Sequence, residues 1–444
     1  MSQDRGITRR ELGRRALAGG ASLGALGPLL AACGGDDDED GAGAEDEPQG
    51  PVSLRFWKFT AEGADDTIQE TIDQWNDEKP DIQVQFETFP FEDYTSTALT
   101  TAFAGGQGPD LFWVSPGIFL TYVNDDVPAP VNDLVDVGQF NDAAVQAVSV
   151  EGEMLAIPFE IEPLGLYYRT DFLEEAGIEP PQNWDELMAA AEELTGGGRT
   201  GIVIETAPVA FQAFSWYPFL WSAGAEVVNE DSTGSLLRSP EAASAFGLYG
   251  DLVTQGFAPE RTEELTNNIG PLGRGETAMQ VCGFWAIAQM QADFADSPFS
   301  VVPIPAPNGG TPVTVYGGWT QMINSRGPNV EQAKEFARWM WVENQEFGEE
   351  WACRIGSKFS PITEVNDRCS DVFAEDPFSI FTDQILPTAR AQPRYPDQVT
   401  RAVFEGLQSV MFSGASGEDA ANRAADEIDS FLETYNGAPL NPET

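Results

Sequence analysis

Two carboxylates one residue apart, Glu160 and Glu162, are the first side chains in this sequence whose types suit chemistry on a polar molecule. In glycoside hydrolysis two carboxylates flank the bond that breaks, ~5–5.5 or ~6.5–9.5 Å apart. Glu160 and Glu162 lie in an extended stretch, where residues i and i+2 project to the same face. Such a pair can hold a ligand from one side but cannot bracket a bond. The spacing therefore favours binding over hydrolysis.

Most catalytic motifs are absent from the chain. It contains no histidine, which removes the commonest general base and zinc ligand and every Ser-His or Cys-His nucleophile. Residues 196–201 read GGGRTG, which has the letters of a dinucleotide-binding loop. They follow a helical pattern and precede a strand pattern, whereas that loop must follow a strand and open a helix. We read this segment as a turn and expect no cofactor, no metal and no enzymatic activity.

Tryptophan is abundant, with eleven copies, and four of them stand at predicted strand ends or beside glycine: Trp57, Trp113, Trp285 and Trp319. Ends of strands at a switch point of the strand order are where open α/β sheets bind ligands. A flat indole can cover the apolar C–H face of a sugar ring while carboxylates and amides bind its hydroxyls. Packing in the core is the more common role of a single tryptophan. We assign that role to the tryptophans within helical stripes or at helix ends: Trp75, Trp184, Trp339, Trp341 and Trp351.

Strand and helix patterns alternate along the chain after residue 51. Residues 52–59 read as a buried strand, 65–75 as a helix with Ile68, Ile72 and Trp75 on one stripe, and 81–89 as a strand with period two. The alternation predicts an α/β fold with parallel strands and right-handed crossovers. The chain from Val52 onward is too long for one hydrophobic core, which argues for two domains.

The first 33 residues have the form of an export signal. Residues 8–12 read TRREL, a twin-arginine pattern typical of the Tat route, and an apolar run from Ala16 to Ala32 follows. Residues 30–33 read LAAC and resemble a lipobox, whose cysteine, here Cys33, is lipidated. We therefore expect a signal peptide at 1–32, and at 33–51 the lipidated cysteine with an acidic, disordered tether. The protein would then work outside the cytoplasm, anchored to the cell membrane.

The charge of the chain limits the classes of partner that it can bind, and the positions of the cysteines bear on whether it contains a disulfide. With 72 acidic and 23 basic residues the net charge is −49, so nucleic acid binding is not expected. A saline habitat and a codon bias explain the acidity equally well. Cys282 lies in an apolar run and is expected to be a buried thiol. Cys353 and Cys369 can pair in an oxidising place, and two unpaired thiols are the alternative.

Several segments, in this order, resemble the extracellular solute-binding proteins of ABC importers, in the cluster of maltose- and other sugar-binding proteins. Each motif is weak alone, and their order and spacing carry the resemblance. The segments are FW at 56–57, GPDLFW at 108–113, IPFEIEPLGLYYR at 157–169, AGI at 176–178 with PPQNWDEL at 180–187, AMQVCGFW at 278–285 and GGW at 317–319.

The resemblance implies a two-lobed periplasmic-binding-protein-like fold of type II, each lobe a mainly parallel sheet flanked by helices, joined by crossover hinge strands. We place residues 52–159 and 277–318 in the N-terminal lobe and residues 160–276 and 319–440 in the C-terminal lobe. Arg169 replaces the usual asparagine, and Gln321 stands where the family more often has glycine. Because of these two departures, the resemblance does not determine the identity of the ligand.

The ligand-binding residues that we expect come from this resemblance and from the tryptophan pattern. Stacking is expected from Trp57, Trp285 and Trp319, hydrogen bonds from Ser115 and Glu162, a backbone contact at Gly318, and contacts to ligand oxygens from Arg394. Glu160 is expected to contact the ligand together with Glu162. Trp113, Trp216 and Glu62 match the family less well and are further candidates for ligand binding.

The function expected is a lipid-anchored, monomeric receptor that binds a mono- or oligosaccharide between the lobes and delivers it to a membrane permease. Closure would follow from contacts that the ligand makes with both lobes only in the closed state. Alternatives remain. Glu160 and Glu162 could surround a polyamine, Arg394 could favour a glycerophosphodiester, and the protein could be a surface glycoside hydrolase or a sensory subunit.

Overall fold

A computed structural model describes residues 50–61, 63–355 and 357–441. Thirteen strands are found in these ranges, and most of them belong to two sheets. The strands are β1 (Val52–Phe59), β2 (Ile82–Phe89), β3 (Leu111–Val114), β4 (Ser149–Val150), β5 (Glu153–Met154), β6 (Ile157–Pro158), β7 (Glu162–Arg169), β8 (Thr200–Val203), β9 (Thr277–Gly283), β10 (Phe299–Val302), β11 (Thr314–Gly317), β12 (Thr320–Ile323) and β13 (Ala389–Ala391). The signal, the lipobox with Cys33, the tether up to Gln49, and Glu62 lie outside the described residues.

The first sheet has the strand order β2-β1-β3-β12-β6. Strands β1, β2 and β3 run parallel, with Phe56 beside Phe86 on one side and Leu111 on the other. Along β1 every second side chain is buried, namely Leu54, Phe56 and Lys58. This alternation follows from a pleated strand that has one face on the core. Strand β12 then pairs antiparallel with both β3 and β6.

The second sheet has the order β13-β11-β7-β9-β8, and β10 pairs with β7. Its central strand, β7, is buried along almost its whole length, as expected for a strand with helices on both faces. Strands β8 and β9 are parallel, and so are β11 and β13, whereas β7 pairs antiparallel with β9, β10 and β11.

Helices cover both sheets. They are α1 (Ala64–Glu78), α2 (Phe91–Asp93), α3 (Leu99–Ala104), α4 (Pro116–Asn124), α5 (Asp142–Ala147), α6 (Thr170–Ala176), α7 (Trp184–Leu194), α8 (Ala210–Ser222), α9 (Pro240–Thr254), α10 (Gly270–Gly273), α11 (Ala286–Asp293), α12 (Val330–Arg338), α13 (Gln345–Glu349), α14 (Thr363–Arg368), α15 (Ser370–Phe373), α16 (Phe378–Ile380), α17 (Asp397–Phe412) and α18 (Gly417–Leu432). The predicted stripe of Ile68, Ile72 and Trp75 is the buried face of α1. Among the described residues no helix combines the length and the apolar character that crossing a membrane requires.

The α/β class is confirmed, but two details of the expected architecture are wrong. The sheets are mixed rather than mainly parallel, since β12 pairs antiparallel with β3 and β6, and β7 pairs antiparallel with β9, β10 and β11. The assignment of segments after residue 276 is reversed for the strands. Strands β9 and β11 belong to the second sheet and β12 to the first, whereas residues 277–318 were expected with the first sheet. Alternating hydrophobicity identifies a segment as a strand, but it does not predict which other strand pairs with it.

The cysteines outside the signal are placed as the sequence allows. Cys353 and Cys369 form a disulfide with Cα atoms 5.5 Å apart. Cys282 is a free, buried thiol on β9, and burial raises its pKa well above the ordinary value.

Candidate functional site

Three segments lie side by side where the two sheets meet, and we call them the crossing segments: residues 157–163, 314–323 and 357–360. The first leads from β6 to β7, and the second leads from β11 back to β12. These two pair antiparallel, with Thr320 beside Pro158 and Gly317 beside Glu162. The third pairs with the first, since the backbone N–H groups of Ile161 and Phe359 each donate to the carbonyl of the other at 2.7 and 3.1 Å.

Gly318 makes this close pairing possible. Its φ of +124° lies in a region that side chains with a Cβ rarely adopt, and a Cβ at this position would fall on the carbonyl oxygen of Glu160. The glycine in the GGW segment is therefore required by the contact between two backbones. This is a structural reason for its presence at the junction.

A charged cluster fills the space beside the crossing segments. Glu160 Oε2 accepts a hydrogen bond from Trp351 Nε1 at 3.0 Å and lies 3.5 Å from Lys358 Nζ, and Lys358 also donates to Glu162 Oε1. The side chains of Glu160, Glu162 and Lys358 are only 1, 8 and 14% exposed. Both carboxylates thus face the same lysine, as expected for residues i and i+2 of an extended segment.

Burial controls the ionisation of this cluster. Desolvation raises the pKa of Glu160 to about 8, and the negative charge of Glu162 adds to the rise, while Lys358 and the Trp351 hydrogen bond oppose it. Burial by itself would lower the pKa of Lys358, but the two carboxylates together raise it. Glu160 therefore keeps its proton to a higher pH than an exposed glutamate does, and one ammonium group, that of Lys358, faces both side chains.

A group of aromatic rings lies at the edge of the first sheet where β1, β2 and β3 end. Trp319 packs on Phe59 with ring centroids 4.6 Å apart and meets Phe91 edge-on at 6.1 Å. Trp57 packs on Phe89 at 4.7 Å. Ser115 follows β3 at the same edge and begins α4 without using its side chain as a cap. The structure therefore brings Trp57, Ser115 and Trp319 to one sheet edge.

Trp285 lies at the edge of the second sheet at which the first two crossing segments join it. It comes two residues after the end of β9, where Gly283 pairs with Leu164 at the start of β7. Its Nε1 donates to the Asn267 carbonyl at 2.8 Å, and Phe211 meets its ring edge-on. Expected stacking residues are thus found on both sides of the crossing segments.

Three of the residues expected to bind the ligand are buried and contact other parts of the protein instead: Trp113, Trp216 and Arg394. Trp113 is 1% exposed and is enclosed by aromatic rings that include Phe56, Phe159 and Trp351. Trp216 is fully buried between α8 and α9, and its Nε1 donates to the Ala245 carbonyl at 3.2 Å. The structure does not bring either ring to the sheet edges, because each completes a core.

Arg394 is also buried, at 1% exposure. Its Nη1 donates to the Ser149 carbonyl at 2.6 Å, and its guanidinium lies 5.6 Å from the Phe119 ring. These contacts join the segment after β13 to β4 and α4. The arginine is engaged by the protein itself, which differs from the role in holding ligand oxygens that the resemblance implied.

Sequence reasoning missed Lys358, Lys58 and Gln392. Lys58 is buried beneath the aromatic edge, pairs with Asp65 and lies 4.9 Å from the Trp113 ring, and burial lowers its pKa. The signal available was the scarcity of lysine, since only four occur in the chain and two of them are here. Gln392 follows β13, and its amide reaches within 2.6 Å of the place where a Cβ on Gly117 would lie. Nothing in the local sequence marks it.

Comparison with known proteins agrees with this geometry. A family model described as bacterial extracellular solute-binding protein matches residues 61–341. A binding protein of Brucella abortus is 25% identical over 370 residues, which are 80% of this chain and 87% of that protein. The arabinooligosaccharide-binding protein of Halalkalibacterium halodurans is 24% identical over 364 residues, covering 76% and 79%.

Solved structures of similar fold cover nearly the whole described chain. A solute-binding protein of Thermotoga lettingae, crystallised with α-D-tagatose, has a TM-score of 0.77 at 23% identity and covers 86% of this chain and 100% of its own. UgpB of Mycobacterium tuberculosis, crystallised with glycerophosphocholine, has a TM-score of 0.74 at 20% identity and covers 87% and 99%. At these identities the likeness extends to the fold.

Proposed function

Because the chain belongs to the family of bacterial extracellular solute-binding proteins, we propose that it captures a carbohydrate between its two sheets and delivers it to the permease of an ABC importer. The family consists of solute receptors, which act outside the cytoplasm, and not of enzymes. In this proposal each sheet belongs to one lobe, and the crossing segments form the hinge between the two lobes. Closure then follows from contacts that the solute makes on both sides.

The observation that supports a carbohydrate is the pair of aromatic edges on opposite sides of the crossing segments. Trp57 and Trp319 lie at the edge of the first sheet and Trp285 at the end of a strand of the second; Trp57 and Trp285 are partly buried, and Trp319 is buried with 8% of it exposed. Aromatic faces bind the C–H surface of a sugar ring. Ser115 at the start of α4 adds a hydroxyl at the same edge. We propose these four side chains, together with the backbone at Gly318, as the solute contacts.

The charges near the junction argue for an uncharged solute. A polyamine would need free carboxylates, but Glu160 and Glu162 face Lys358. A phosphodiester would need an available cation, but Arg394 bonds the Ser149 carbonyl. Glu162 remains close enough to the junction to accept a hydrogen bond from a hydroxyl while it pairs with Lys358.

A thermal-shift screen of the purified protein tests the proposal. The panel contains tagatose, maltose, maltotriose, arabinooligosaccharides and diacetylchitobiose. Spermidine, amino acids and glycerophosphocholine are tested separately as non-sugar ligands, and every compound is tested at low and high salt. A solute that binds only the folded state raises the melting temperature. A shift with a sugar supports the proposal. A shift restricted to spermidine or glycerophosphocholine would overturn the carbohydrate assignment, and oligosaccharide turnover would overturn the receptor assignment.

We also propose that Cys33 carries a lipid anchor and that the Tat route exports the chain. The support is the twin-arginine and LAAC pattern of residues 8–33. Labelled palmitate should be incorporated by the parent protein and not by Cys33→Ala, which should appear in the medium. Replacing Arg9 and Arg10 by lysine should stop export. Export of that lysine variant at the parent's level would contradict the Tat assignment.

A further inference from the structure

The charged cluster lies between two aromatic groups that belong to different sheets. On one side Glu160 bonds Trp351, whose ring meets Trp113 of β3 edge-on at 5.6 Å. On the other side Phe359, the neighbour of Lys358, stacks on Phe284 beyond β9 with centroids 4.4 Å apart and planes 10° from parallel. The cluster therefore connects a ring in the core of the first sheet with a ring at the end of a strand in the second.

Each crossing segment has only a short backbone ladder with its neighbour. The first and third are joined at one residue pair, Ile161 and Phe359. Lys358 reaches from the third segment to carboxylates at two positions of the first, on either side of Ile161. Because the surroundings are buried, water screens these attractions weakly and they act strongly at short range. A single lysine thus fixes both the spacing and the register of two segments that come from distant parts of the chain.

We propose that Lys358 is a positioning residue that keeps the crossing segments in register in the solute-free protein and thereby sets the distance between the two aromatic edges from which closure begins. For its link to solute capture this inference rests on the proposed function. The ammonium group acts through the carboxylates of Glu160 and Glu162, and the stacking side chains are positioned at a distance from it.

The test measures the distance between the sheets in the absence of any solute. Spin labels are attached at two exposed positions, Glu70→Cys on α1 and Asp251→Cys on α9. Helix α1 packs on β2 of the first sheet, and α9 packs on α8, which in turn packs on β11 of the second sheet. The full chain carries Cys33→Ser, since Cys282 is buried and the other two cysteines are paired. Pulsed electron paramagnetic resonance then gives the distribution of label distances.

We expect Lys358→Met to at least double the width of this distribution and Lys358→Arg, which keeps the charge, to restore a width near that of the parent. The matched control is Lys79→Met, which breaks an ion pair of 2.7 Å with Glu335 at an exposed site. It should leave the distribution unchanged. Should Lys358→Met not fold, Glu162→Gln keeps the side-chain volume and should broaden the distribution on its own.

A distribution in Lys358→Met or Glu162→Gln that matches the parent would overturn the proposal. So would a broadening of the same size in Lys79→Met, because it would reveal a general response to lost ion pairs. No solute enters this measurement. Its failure is therefore distinct from the failure of the carbohydrate assignment, which the thermal-shift screen decides.

Discussion

Trp319 rests on Phe59 at a centroid distance of 4.6 Å, although one residue belongs to a crossing segment and the other to the end of β1. The aromatic edge of the first sheet is therefore completed by a residue whose position depends on the path between the sheets. Any shift of the crossing segments relative to β1 moves this indole. A displacement of the crossing segments therefore also displaces part of the proposed solute-binding surface.

Replacing Trp319 by alanine should weaken sugar binding at least tenfold, which corresponds to ~1.4 kcal/mol. The reason is the loss of a ring face at the sheet edge, where 8% of the residue remains exposed. Isothermal titration with the sugar that gives the largest thermal shift measures the effect. Trp339→Ala is the control, since Trp339 packs on Trp75 of α1 rather than at the aromatic edge. Equal losses of affinity in the two variants would count against a stacking role.

Gly318→Ala should lower the free energy of unfolding by about 3 kcal/mol, because its Cβ would overlap the Glu160 carbonyl at a φ that alanine avoids. Urea denaturation measures the change. Gly247→Ala is the matched control, because a Cβ there meets open space within α9. That control should stabilise the protein by about 0.5 kcal/mol. A neutral effect of Gly318→Ala would show that the two backbones can separate without cost.

Glu160→Gln should flatten the dependence of stability on pH. Burial raises the pKa of Glu160 to about 8 in the folded protein from an ordinary value of 4.5, so the folded chain keeps a proton that the unfolded chain releases between these values. The contribution of this group to stability is therefore complete below pH 4.5 and is lost as pH rises towards 8. Urea unfolding at about pH 5 and about pH 8 measures the slope.

The charged groups that face Glu160 are Glu162 and Lys358 on the crossing segments and Lys58 from β1, which is itself paired with Asp65. None of them is changed by Glu160→Gln. The control is Glu335→Gln, at an exposed ion pair with Lys79, which should keep the slope of the parent. A Glu160→Gln variant with the parent's slope would mean that Glu160 ionises normally.

Removing the disulfide with Cys353→Ser and Cys369→Ser should cost about 3 kcal/mol, since the bond closes a loop with a sequence separation of 16. Denaturation with and without dithiothreitol provides an internal control. The reductant should destabilise the parent and leave the double variant unchanged. A parent insensitive to reductant under unfolding conditions would argue that these thiols are not paired in solution.

Local elements could be predicted from the sequence because periodicity reports burial directly. Residues 52–59 form β1 as expected, and the stripe of Ile68, Ile72 and Trp75 is the buried face of α1. These features depend on neighbours in the chain. The hydrophobic pattern suffices to define them.

Long-range pairing was the part that could not be predicted. The stretch from Val313 to Ile323 contains both β11 and β12, which belong to different sheets. Likewise Trp113 and Trp319 stand in similar local contexts, and only the fold decides that one completes a core and the other a sheet edge. Lys358 was missed because its two carboxylate partners lie in another part of the sequence.

The insertion of β12 between β3 and β6 bears on how the chain reaches this structure. A nascent chain that has left the ribosome only as far as β11 has β3 and β6 but lacks the strand that joins them. The second sheet is likewise incomplete until β13 has been made. Contacts between such distant residues close late and slow folding. Truncation before residue 324 should therefore give aggregation-prone material, and folding should be largely post-translational.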